Sequence, residues 1–208
     1  MKKAIISFAV TAMACSAHPD LVNGDFTSGE VGRIVNLRSI SAIGKGWYAN
    51  DFTTQHFTFL NGTVTLNTAE AAFKPAMIGQ LFTYGESGER MLNFEVVITD
   101  DNANLDFRVQ LYGYKQRTAE KTILFANAIK LESNDPPVTS EYYEVKELVN
   151  YARTRTGTPN SGNILKESVK FTASTDYAFY GIRIIANRPD SADRIAFDKV
   201  SITAVPSP

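Results

Sequence analysis

Cysteine and histidine are nearly missing. The 208 residues hold one cysteine, Cys15, and two histidines, His18 and His56. A disulfide framework, a cysteine-rich zinc site and a three-histidine metal centre are therefore excluded. Charge of one sign is missing too: 21 Lys and Arg stand against 22 Asp and Glu, a net charge of -1. A general nucleic-acid binder would show a basic excess. No apolar run reaches the roughly 20 residues that a membrane-spanning helix needs. The sequence holds no Gly-rich phosphate loop, no G-x-S-x-G and no H-E-x-x-H, so phosphate cradling, serine-hydrolase and zincin chemistry lose their usual frames. With 44% hydrophobic and 21% charged residues, the chain is nevertheless composed like one that folds.

The first residues read as an address. Met1-Lys2-Lys3 is basic, Ala4 to Ala14 is apolar or small, and small residues follow. This is the layout of a secretory signal peptide over residues 1–17, cut before Cys15 or after Ala17. Ala12-Met13-Ala14-Cys15 also resembles a bacterial lipobox, which would make Cys15 a lipid anchor. We therefore expect a protein secreted or held at the cell surface, in the bacterial periplasm or on the outer surface, with no transmembrane segment in its mature part.

The rest, residues 18–203, reads as one all-β domain. Short alternating runs are found at 33–40, 46–49, 56–60, 63–67, 76–84, 91–99, 105–115, 122–131, 165–172, 178–187 and 194–203. Asn61-Gly62, the stretch 85–88 and Asp100-Asp101-Asn102 supply turn chemistry between them. That spacing predicts an antiparallel β-sandwich or jelly roll. Residues 144–153 fit a short helix, through Val145, Leu148, Val149 and Ala152, or a strand, and the pattern leaves both open. Proline and polar residues flank that segment, so 132–163 reads as an insertion or an elaborated rim. Residues 204–208 read as a tail.

Two short motifs carry a resemblance. Leu21-Val22-Asn23-Gly24-Asp25-Phe26 stands near the start, and Ile195-Ala196-Phe197-Asp198-Lys199-Val200-Ser201-Ile202 near the end. Together they resemble the first and last strands of bacterial carbohydrate-binding modules with a galactose-binding-like jelly roll, the group that includes cellulose- and xylan-binding modules. The resemblance implies that the two segments lie side by side and hold a structural calcium at Asn23, Asp25 and Asp198. Thr27 and Lys199 depart from the family's acidic pattern there.

Sugar recognition needs flat apolar rings against the sugar's CH face and polar forks for its hydroxyls. In 105–115 the period of two puts Phe107, Val109 and Leu111 on one face and Arg108, Gln110 and Tyr112 on the other. In 91–99 it puts Leu92, Phe94 and Val96 inward and Asn93 and Glu95 outward. The expected sugar-binding set is therefore Asn93, Glu95, Arg108, Gln110 and Tyr112 on one exposed, concave polar face, joined by Arg183 if the sheet order brings it there. Trp47 is expected in the core. The function that follows is non-catalytic binding of a poly- or oligosaccharide. The alternatives are a structural or adhesive surface or matrix protein with no small ligand and, further off, a glycan-cleaving enzyme using carboxyls such as Glu95, Asp106 and Glu167.

Overall fold

The computed structural model describes residues 21, 24, 26, 32–33, 46–49, 57–60, 62–67, 76–98, 105–117, 135–155, 164–187 and 194–205. The expected signal segment with Cys15 lies outside them, as do Asn23, Asp25 and the run 122–131.

The described residues form eleven strands and no helix: β1 (Gly32–Arg33), β2 (Tyr48–Ala49), β3 (Phe57–Leu60), β4 (Thr63–Asn67), β5 (Ala76–Phe82), β6 (Gly88–Ile98), β7 (Leu105–Gln116), β8 (Tyr143–Arg155), β9 (Ile164–Ala173), β10 (Phe179–Asn187) and β11 (Arg194–Ala204). They build a β-sandwich of jelly-roll type. One sheet has six strands in the order β1-β2-β5-β10-β7-β8, the other five in the order β3-β4-β11-β6-β9. Every pairing is antiparallel except β1 with β2, which is parallel. Leu60 pairs with Thr63 across a two-residue connection in which Gly62 has φ 79°. That left-handed conformation is the reason an Asn-Gly pair makes a hairpin.

Alternation fixes what lies between the sheets. Leu92, Phe94 and Val96 from β6 meet Phe107, Val109 and Leu111 from β7, with Ile182, Ile184 and Phe197, all buried. The rings interlock edge to face across the core: Phe94 on Phe107 at 6.5 Å and Phe107 on Phe197 at 5.6 Å between centroids. Trp47 is buried in the same core and lies 5.2 Å from Phe26. Tyr180 holds the turn after β9, donating from its hydroxyl to the Ser174 carbonyl (2.8 Å) and accepting from the Ser174 amide (2.9 Å).

The segment 132–163 contains β8, which pairs along its length with β7 and forms an edge of the larger sheet. Of the two readings left open for 144–153, the strand is the one observed. A β-bulge interrupts it: Leu111 pairs with Val149 but Tyr112 with Glu147, so Leu148 is the extra residue. Leu148 and Val149 both pack on the inner core, and the alternation changes phase there. Beyond the bulge, Tyr151 reaches Phe94 at 5.1 Å and Arg153 Nη1 pairs with Glu167 Oε1 of β9 at 2.6 Å. That ion pair bridges the two sheets where their edges β8 and β9 face each other.

The first and last motifs meet as the resemblance implies. The Val200 amide donates to the Gly24 carbonyl at 2.8 Å. A Cβ at Gly24 would collide with the Val200 carbonyl oxygen, so the motif requires glycine there. Asp198 is the extra residue of a second bulge, between Phe197 opposite Val96 and Lys199 opposite Glu95. Strand β11 runs through Ala204, one residue into the segment read as a tail.

Candidate functional site

The five expected sugar-binding residues do not share a face. Asn93 and Glu95 belong to the five-stranded sheet, and Arg108, Gln110 and Tyr112 to the six-stranded one. Strands β6 and β7 do not pair with each other. They face each other through the core, so turning both apolar sides inward turns the two polar sides in opposite directions.

Asn93 and Glu95 are taken up by their neighbours. Asn93 Nδ2 donates to Thr203 Oγ1 at 2.9 Å, and Asn93 Oδ1 accepts from Ser168 Oγ at 2.7 Å. Glu95 pairs with Lys166 at 3.3 Å, and Glu89, three rows along the strand, pairs with Lys170 at 2.6 Å. This is a ladder of cross-strand partners on a solvated sheet face.

The six-stranded sheet is different. Its outer side carries a second apolar layer, Met77, Leu81, Tyr112, Tyr114, Tyr143, Phe179 and Ile185, with Tyr48, Tyr142 and Val145 partly buried against it. Tyr114 stacks on Phe179 at 4.4 Å, and Tyr143 stands edge-on to Phe179 at 5.0 Å. The expected open face is therefore corrected: Tyr112 is 1% exposed and Gln110 3%, while Arg108 is exposed. Tyr112 is not free to lie along a sugar ring, because it is part of a packed layer.

A polar network crosses this layer. Arg183 of β10 stands opposite Gln110 of β7, which stands opposite Asn150 of β8; one row along, Tyr112 stands opposite Glu147. Arg183 Nε donates to Gln110 Oε1 at 2.6 Å, Gln110 Nε2 to Asn150 Oδ1 at 3.2 Å, and Asn150 Nδ2 to Glu147 Oε1 at 3.3 Å. The Tyr112 hydroxyl donates to Glu147 Oε2 at 3.4 Å, and the Arg183 guanidinium lies 5.7 Å from the centre of the Tyr112 ring. Gly79 and Gly181, the register partners of Arg183 and Tyr112, bring no side chain to the crowded centre.

The electrostatics follow from the burial. Loss of water pushes the Tyr112 phenol up to about 12; nearby Arg183 pulls it down and Glu147 pushes it up. Burial lowers the Arg183 pKa from its usual value, opposed by Tyr112. The Tyr114 phenol is pushed up by burial. A network with a buried guanidinium at its inner end thus emerges at exposed groups: Asn150 and Glu147, with Arg108 beside them. Among the described residues no ion pair holds Arg108. These are hydroxyl-addressing groups: a guanidinium that only donates, an amide that does both and a carboxylate that accepts.

The sheet order brings Arg183 to Gln110, the condition on which it joins the expected set. Asn150 and Glu147 are not in that set. Their signal was the alternation of β8, disguised by the bulge at Leu148.

Of the segment Leu21–Phe26, Leu21, Gly24 and Phe26 are described and Asn23 and Asp25 are not; Gly24 lies against β11 through Val200. Among the described residues no three His, Cys, Asp or Glu side chains converge, and no helix is long and apolar enough to cross a membrane.

No family model and no curated protein matches the sequence. Solved structures do. An inferred sugar-binding protein from Bacteroides thetaiotaomicron matches over 88% of this chain and 99% of its own, with 14% identity and a TM-score of 0.53. A family 4 carbohydrate-binding module matches over 88% and 98%, at 12% identity and a TM-score of 0.44. An adhesin domain of Lys-gingipain matches over 89% and 98%, at 8% identity and a TM-score of 0.42. The likeness to the Bacteroides protein shows that this chain has the jelly-roll sandwich fold of that protein.

Proposed function

We propose that the protein is a non-catalytic carbohydrate-binding module and that it takes a glycan on the outer side of its six-stranded sheet, at Arg108, Asn150 and Glu147. The observation that carries this reading is the hydrogen-bonded chain from Arg183 through Gln110 to Asn150 and Glu147. It holds exposed polar groups on a rigid sheet, which is what orienting several hydroxyls at once requires. The shared fold with an inferred sugar-binding protein supports it. Gln110 and Tyr112 act from beneath, as supports. Asn93 and Glu95 lie on the opposite side of the sandwich and take no part. The half-buried Tyr48 and Tyr142 are the rings nearest in kind to a sugar platform on this layer.

The test is a binding panel of cellulose, xylan, mixed-linkage β-glucan, galactan and pectin. The protein retains at least one of them. Asn150→Ala and Arg108→Ala each weaken that retention about tenfold or more, the scale of removing a hydrogen bond to a fixed polar site. Asn93→Ala leaves it unchanged. Failure on the whole panel removes the glycan reading and leaves the structural or adhesive one.

The N-terminal pattern supports export, with Cys15 as the candidate lipid site; intact mass of the exported protein decides both points. A calcium at Asp198 with Asn23 and Asp25 belongs to the same reading. Those three residues offer oxygen atoms alone, the donors that calcium prefers, but fewer than its six to eight, so backbone carbonyls and water would complete the set. Calcium at a hundredfold excess over Kd would add about 2.7 kcal/mol to stability. A melting temperature indifferent to calcium and chelator, or equally responsive in Asp198→Ala, rules this site out.

A further inference from the structure

The network has one permitted direction. At one end stands a guanidinium, which donates and never accepts; at the other stands the Glu147 carboxylate, which when ionised accepts and never donates. Two amides lie between, and the orientation of an amide is set by its partners. Turning Gln110 over would put its amine against Arg183 Nε across a 2.6 Å contact. Turning Asn150 over would put its oxygen against the Glu147 carboxylate at 3.3 Å and its amine against that of Gln110 at 3.2 Å. Reversing Gln110 strands the buried Arg183 donor, and reversing Asn150 strands the buried Gln110 amine; an unmade hydrogen bond at either buried group is costly.

We propose that Arg183 is a positioning residue: it fixes the polarity of the chain Arg183–Gln110–Asn150–Glu147 and so the orientation in which the exposed Asn150 amide meets a ligand. Arg183 has no exposed surface and touches no ligand itself. Its effect travels through Gln110, also buried. With the polarity set, Asn150 has one N–H spent on Glu147 and one lone pair spent on Gln110. What remains for a ligand is one donor and one acceptor in fixed directions. Arg108 adds donors two residues along β7 on one side, and Glu147 adds acceptors on the other. The ligand face thus runs from donor to acceptor along the strands, and a glycan would bind it in one sense of its chain. This last consequence rests on the glycan reading above; the polarity does not.

The decisive variant is Gln110→Glu. The new carboxylate still accepts from Arg183, and the fold keeps or gains stability. It has no proton for Asn150 Oδ1, so the amide must turn or move. Side-chain 1H–15N spectra of the wild-type protein should show Gln110 and Asn150 as ordered amides. In Gln110→Glu and Arg183→Met the Asn150 pair should shift or broaden, while in Arg183→Lys, which retains a donor, it should stay near its wild-type position. Titration with cellohexaose, xylohexaose and galactotriose reads the consequence: for whichever of them wild type binds, affinity falls about tenfold or more in Gln110→Glu at a melting temperature no lower than that of wild type. An Asn150 signal that ignores Gln110→Glu overturns the polarity assignment whatever the binding. A shifted signal with full affinity overturns the positioning role. If wild type binds no glycan, the preceding reading fails and the amide spectra alone decide the present one.

Discussion

The two outer faces of the sandwich carry similar residue types and use them in opposite ways. On the five-stranded sheet, Asn93, Glu95, Ser168 and Lys166 meet their neighbours in the open, in pairs that water can replace. On the six-stranded sheet, Gln110, Tyr112 and Arg183 are buried among aromatic rings, and their hydrogen bonds run on through several residues. Exposed pairs gain little because water competes with them. Buried ones leave a stranded donor or acceptor when a partner is lost. The same chemistry is therefore decoration on one side and architecture on the other, and the side with architecture is the one on which we propose recognition.

The largest test of this contrast is in the core that separates the faces. Phe94→Ala and Phe107→Ala are each expected to cost about 3–5 kcal/mol by chemical denaturation. Because the rings touch across the sheets, the milder Phe94→Leu and Phe107→Leu should be non-additive by about 0.5 kcal/mol or more. Additive losses would mean that β6 and β7 do not face each other. Next comes Arg183→Met, expected to cost about 1–3 kcal/mol, the scale of leaving Gln110 Oε1 unsatisfied. A loss below that on urea unfolding would place the network in solvent.

Tyr112 gives a smaller effect with a defined sign. Its phenol holds a proton more tightly folded, near 12, than unfolded, near 10. The stability this confers is complete below pH 10 and is lost as pH rises through 12. Tyr112→Phe should flatten the wild-type decline across that window; a parallel decline would show that the ring is wet. The smallest effect belongs to the opposite face. Lys166→Ala should change stability by no more than about 0.5 kcal/mol. A larger loss in thermal unfolding would erase the distinction between the two faces.

Most of the strands were legible because in-out alternation is written into each run independently. That is also why the site was misread. Alternation tells which side of a strand is buried and is silent about which sheet the strand joins. Leu92, Phe94 and Val96 give the same pattern whether β6 pairs with β7 or faces it. Strand β8 hid for a different reason. Its bulge puts apolar residues at 145, 148, 149 and 152, the spacing of a helical stripe, although Val145 packs on the outer layer and Leu148 and Val149 on the inner core. One inserted residue thus concealed Asn150 and Glu147. The Asn-Gly hairpin was legible because it depends on what a single glycine permits, while the nearness of the first and last motifs came from the family resemblance alone.

The pair Arg153–Glu167 also has a bearing on how this molecule behaves in a crowd. It joins two strands that, among the described residues, end their sheets on the same flank, and a sheet border is where a passing strand can pair. Both borders are studded with exposed charge, Glu144, Lys146 and Glu147 on β8 and Lys166 and Lys170 on β9. An incoming chain would have to strip water from these ions before it could zip on. The flank that seals the sandwich is thus also its guard against self-association, and neutralising those lysines and glutamates should bring aggregation before it brings unfolding.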